Sequence, residues 1–164
     1  MRQKALLALE AGLNPVHVVT GAYGSQVAAV LDDLPITLVD NPHWQHGQST
    51  SVKAAVQSFP SETGGAIFFL ADQLSFSLDL VNSLIRAHAA TLSPMVVTLC
   101  QGQRATPILF DRQIFPDLLG LSGDVGGRAL LSEYSPTWVA WDDPELLVDV
   151  DTPADYEKYI GAGK

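Results

Sequence analysis

The chain has 164 residues, 47% of them hydrophobic, with 9 Lys plus Arg against 18 Asp plus Glu and a single cysteine. That length gives about one domain with a real core, and its apolar bursts, such as 66–71, fall far short of the roughly 20 residues of a membrane span. The net charge of −9 excludes electrostatically driven nucleic-acid binding, which needs a basic footprint. Cys100 alone cannot form an internal disulfide, and no cleavage site follows the apolar stretch after Lys4, so a cytoplasmic protein is expected.

In chain order, residues 2–11 are helix formers that stop at Gly12. Residues 16–20 read as a strand, Ser25 caps a helix to about Leu31, and 36–40 form a second strand, completing one βαβ unit. After a polar loop at 41–48, Ser49 or Thr50 caps a helix reaching Phe59. The uniformly apolar 66–70 predicts a strand covered on both faces, with Asp72 just past its end. Ser77 caps a longer helix that presents Leu80, Val81, Leu84, Ile85 and His88 at helical spacing. Strands at 95–99 and 107–110 join through a hairpin turn at 101–104, and helices follow at 112–119 and 127–134. Residues 137–141 and 146–150 are extended, and Thr152-Pro153-Ala154-Asp155 opens a last helix.

In open parallel α/β sheets, ligands bind beyond the carboxyl ends of strands. Asp72 and Asp151 occupy such ends, and carboxylates from separate strands can converge on one Mg²⁺, a hard ion that completes its shell with water and phosphate oxygen. Such an ion would let an acidic protein hold a nucleoside triphosphate. The competing reading has Asp72 opening a turn and Asp151 favouring a helix start through the dipole. In 41–51, Gly47 allows close backbone approach, and the hydroxyls and free amides of a helix start can hold a base, ribose or phosphate. An ordinary capped helix is the alternative there. His43 and His46 lack a matching cluster elsewhere and read as solvated. In 121–128 the glycines and Arg128 suit an anionic group, against a plain loop with Asp124 near a helix start. Cys100 has no evident activating base and reads as a structural thiol.

Together these motifs resemble the MobA-like nucleotidyltransferases, and among them the molybdenum cofactor cytidylyltransferases. The family patterns N-x-x-W-x-x-G-x-S-x-S, L-x-D-Q-P, G-H-P-x-x-F, L-x-G-D-x-G-A-R and D-I-D-T-P-x-D-Y have counterparts at 41–51, 70–74, 105–110, 121–128 and 149–156. The resemblance implies an α/β, Rossmann-like (glycosyltransferase-A-like) three-layer sandwich with a mostly parallel sheet, forming one domain over 1–164. It implies transfer of a nucleotide, CMP favoured, from CTP or another triphosphate to molybdopterin with release of pyrophosphate, upstream of a recipient molybdoenzyme. Asp72 and Asp151 would be the catalytic residues and the Mg²⁺ ligands. Asn41, Gly47, Gln48, Ser49 and Ser51 would contact the nucleotide, and Arg104, Thr106, Asp124 and Arg128 the acceptor.

Three departures stand out. Leu74 replaces the proline of D-Q-P, which changes loop stiffness. Ala105 and Thr106 replace Gly and His of G-H-P, which alters the acceptor contact. The family's opening strand, its L-A-A-G-x-S-x-R-M-G loop and a nearby lysine, which cradle the triphosphate, have no counterpart. That strand would lie between 16–20 and 66–70, and its loss would leave up to about ten backbone groups unpaired at about 1–3 kcal/mol each where buried. Typical total stability is only about 5–15 kcal/mol. The expectation is therefore an N-terminally incomplete domain, or a homo-oligomer in which another chain fills the gap. A non-catalytic nucleotide-binding or assembly module and a nucleotide-sugar pyrophosphorylase are the alternative functions.

Overall fold

Helix α1 (Arg2–Glu10) leads into β1 (His17–Thr20), α2 (Gly24–Ala29) and β2 (Thr37–Asp40). β1 and β2 pair in parallel with His17 opposite Thr37, which is the expected βαβ unit. Helix α3 (Gln48–Gln57), β3 (Gly65–Phe68), α4 (Leu78–Thr91), β4 (Met95–Cys100), β5 (Gln103–Asp111), α5 (Phe115–Gly120) and β6 (Thr137–Trp141) follow. The structure, a computed structural model, describes residues 1–73, 76–148, 152, 154 and 157. Its strands form two sheets, β1-β2 and β3-β5-β4-β6. β5 runs antiparallel to β3 and β4, and β6 runs parallel to β4, so β3, β4 and β6 share a direction. No helix among the described residues is long and apolar enough to cross a membrane.

Alternation along a strand sends successive side chains to opposite faces, and this sorts the helices into two layers. On one face Val18 packs with Ala5 of α1 and with Leu31, while Val96 and Leu109 bury against Leu84 of α4. On the other, His17 meets Phe59 just beyond α3, and Val97, Ile108 and Phe110 form the main core with Val52 and Val56 of α3 and Leu118 of α5. The sandwich has three layers, and β1 and β3 belong to different halves of the middle one. Among the described residues no strand pairs with the second edge of either.

Several local expectations change. Residues 66–70 are partly exposed, because β3 is an edge strand with β5 on one side only. α2 begins at Gly24, so Ser25 lies inside it, and α3 begins after Gly47, so Ser49 and Thr50 are also internal. The β4–β5 turn is tighter than 101–104: Cys100 faces Gln103, and Gln101 and Gly102 supply the two left-handed residues (φ 48° and 75°) of a two-residue hairpin. Arg104 therefore belongs to β5. Residues 112–119 split into a 3₁₀ turn, Arg112–Ile114, and α5, because Asp111 caps the turn and Pro116 opens the helix. Residues 127–132 are 3₁₀, and so are 144–147, where Asp143 caps a turn begun by Pro144 in place of the expected extended start. Ser77 caps α4 as expected, accepting from the Leu80 amide. The 149–151 part of the last motif lies outside the described residues; Ala154 and Glu157 are helical.

Candidate active site

The 41–51 loop is organised by Asn41, which is 2% exposed. Its Nδ2 donates to Thr50 Oγ1 (2.9 Å) and Ser51 Oγ (3.0 Å), and its Oδ1 accepts from the His43 amide (3.0 Å). Thr50 Oγ1 donates to the carbonyls of His43 and Gly47. Trp44 lies over Gly21, where a Cβ would meet its side chain at 2.9 Å, so the loop is fastened to the turn after β1. Ser49 is buried at the start of α3, while His43 and His46 stack on each other in solvent.

Gly47 does permit a close backbone approach, and the approaching backbone is that of 123–124. With φ at +100°, Gly47 sits where an added Cβ would be 2.6 Å from Gly123 O and Asp124 N. The Gln48 amide donates to Asp124 Oδ1 and the Ser49 amide to Gly123 O, each at 3.2 Å. The structure thus brings two separately expected motifs into contact. Beside them Arg104, Asp124, Gly126, Arg128 and Ser132 line an open cleft of about 490 Å³. Two exposed guanidiniums in one cleft suit a phosphate, because each offers a planar fork of donors. Thr106 is not among the cleft's lining residues; its Oγ1 is buried and has no hydrogen-bond partner among the described residues.

Asp72 follows β3 at the sheet edge where β4 and β6 also end, and it is exposed. Gln73 next to it is buried, its Nε2 3.5 Å from the carbonyl of Leu146, which ties the approach to Asp151 to the end of β3. Asp151 itself lies outside the described residues. A solvent-facing carboxylate fits the oxygen-rich, largely hydrated shell of Mg²⁺. Among the described residues no group of three His, Cys, Asp or Glu could hold a metal.

Residues 1–137 match the model of the MobA-like NTP transferase domain. The chain belongs to this family. The purine catabolism protein PucB of Bacillus subtilis (strain 168) is 34% identical over 118 residues, or 69% of this chain. The matched stretch is 56% of that relative, so it spans little more than half of PucB's length. Among solved structures, Rv0371c from Mycobacterium tuberculosis H37Rv is 24% identical with a TM-score of 0.78, over 94% of this chain and 80% of that one. The same protein has been solved in complex with manganese (23%, TM-score 0.76, 95% and 82% covered). A nucleotidyl transferase from Methanothermobacter is 19% identical with a TM-score of 0.77, over 97% and 78%. These likenesses establish the Rossmann-type fold of the MobA-like transferases.

In this MobA-like domain one residue that packs beside Asp72 carried no expectation from the sequence. Lys4 is buried on α1, and its Nζ donates to the carbonyls of Leu70 (2.5 Å) and Ala71 (2.9 Å), immediately before Asp72. The available signal was its position: Lys4, Ala5 and Ala8 share the face that α1 buries.

Proposed function

We propose that this chain carries the chemistry of a divalent-metal-dependent cytidylyltransferase, moving CMP from CTP to molybdopterin in the cytoplasm and releasing pyrophosphate, with a molybdoenzyme as final recipient. The observation that carries the reading is the meeting of the 47–49 and 123–126 backbones beside a cleft with two arginines, at the sheet edge that also bears Asp72. Family membership, the likeness to PucB and the manganese complex of Rv0371c support it.

Asp72 and Asp151 would hold the ion, magnesium favoured; when bound it supplies charge neutralisation on the phosphates. The Asn41-ordered loop, with Gly47, Gln48, Ser49 and Ser51, would shape the nucleotide side. Arg104 and Arg128 would draw the acceptor phosphate into line with the α-phosphorus, with Thr106 two residues from Arg104 on β5, and proximity of this kind contributes much of the rate in phosphoryl chemistry. Lys4 would add positive charge beside Asp72.

The test is pyrophosphate release from CTP and molybdopterin with Mg²⁺. Turnover is expected, with a loss on the order of 100-fold in Asp72→Asn. The open flank between β1 and β3 favours one second reading, a module that binds nucleotide without turning it over. CTP binding without pyrophosphate release would establish that reading and reject the first.

A further inference from the structure

We propose that Asp124 is a positioning residue and not an acceptor ligand: its carboxylate caps α3 from the opposite loop and locks the 41–51 loop onto the cleft. The proposal rests on reading those two loops as the nucleotide and acceptor sides. A helix leaves its first four amides without partners inside the helix. Gly47, the residue at the N-cap of α3, has no side chain with which to satisfy them, and Ser49 and Thr50 lie too far into the helix to do so. The oxygens come instead from Asp124 Oδ1, 76 residues away in sequence, and from Gly123 O. A carboxylate is the favoured cap at that end, because it also meets the positive end of the helix dipole.

Two neighbouring contacts hold the cap in register. No Cβ fits at Gly47 against the backbone of Gly123 and Asp124, and the Gln48 side chain lies directly against Gly126. The same segment supplies Asp124, Gly126 and Arg128 to the cleft. As a ligand for an anionic acceptor, Asp124 would repel the group that Arg104 and Arg128 attract. As a cap, it spends that charge on α3. The two sides of the site then move as one unit, and loss of the cap weakens both.

The experiment compares Asp124→Asn, whose Oδ1 still accepts an N–H, with Asp124→Ala and with Gly47→Ala, which forces the loops apart while keeping the carboxylate. Hydrogen exchange of the Gln48 and Ser49 amides, without substrate, should accelerate about tenfold in D124A and G47A and stay near wild type in D124N. KM for CTP and for molybdopterin should both rise about tenfold in D124A and G47A, with kcat less affected, and D124N should restore both. Unchanged exchange in D124A overturns the cap. D124N as impaired as D124A, with amide protection intact, makes Asp124 a ligand and overturns the proposal. If the wild type transfers no nucleotide, the exchange measurement still decides the cap, so failure of the functional reading and failure of this one are separable.

Discussion

At the residue scale Thr106 tests whether local stability has been given up for a role on the acceptor side. A register shift on β5 puts Val97 opposite Ile108 but Thr98 opposite Ala105, so Thr106 and Pro107 form a bulge, a device common beside active sites. Thr98 Oγ1 satisfies the Pro107 carbonyl at 2.7 Å, yet Thr106 Oγ1 has no partner among the described residues. An unmet buried hydroxyl costs about 1–3 kcal/mol, and Thr106→Val removes it with nearly the same shape. Melting should rise by roughly 2–4 °C for each kcal/mol regained, while KM for the acceptor rises several-fold and KM for CTP is unchanged. An unchanged acceptor KM in this variant would remove Thr106 from the acceptor side. The departure from G-H-P made this position visible in the sequence; the orphaned oxygen did not, because burial at a bulge depends on two strands at once. Asp124 was legible as a special residue but not as a cap, since its partner is 76 positions away. Lys4 was missed because a lone lysine on a helix ordinarily faces water.

At the element scale the legible features are those with local causes. The βαβ unit, the Ser77 cap and the β4–β5 hairpin follow from alternation, one hydroxyl and a Gln-Gly turn. The 3₁₀ segments were read as α-helix or strand because i, i+3 spacing serves both kinds of helix and short apolar pairs fit a strand as well. The join between α4 and β5 is tertiary and carries no sequence signal: His88 Nε2 lies 2.9 Å from Asp111 Oδ2, and Asp111 Oδ1 accepts from the Gln113 amide. Burial pushes the Asp111 carboxyl upward, but the Gln113 amide and His88 outweigh it and hold the carboxyl below its ordinary value. A depressed carboxylate contributes stability that is complete above its unfolded value near pH 4 and is lost as pH falls through the lower folded one. Asp111→Asn should therefore cost about 1–3 kcal/mol at pH 7 in urea titrations. At pH 3 the gap between variant and wild type should narrow, and a gap of constant size would show that the charge of Asp111 is not its source.

At the scale of the whole molecule the question is what joins the two sheets. The Thr37 and Asn41 amides donate to the carbonyls of Val16 and Thr20, so the parallel ladder turns Val16, Val18 and Thr20 toward β2 and leaves His17 and Val19 facing away. The Arg112 amide donates to Gly64, so Gly64, Ala66 and Phe68 face β5, and Gly65, Ile67 and Phe69 turn outward. Both layers of helices span the break. α1 places Ala5 on Val18 and Lys4 on the end of β3, and Phe59 beyond α3 touches both His17 and Phe68. Among the described residues both edges lack a partner strand and are covered on both faces, which forms a place for one extended segment, from a longer polypeptide or from a second copy. In the 164-residue chain the Val19 and Ile67 amides should then exchange at least 100-fold faster than Val97, which sits between β5 and β6. A version extended by a strand should slow them to the rate of Val97 while remaining monomeric. Slow exchange together with a dimeric mass in the 164-residue chain would assign the slot to a second copy, and slow exchange in a monomer would mean that the sheet closes without any added strand.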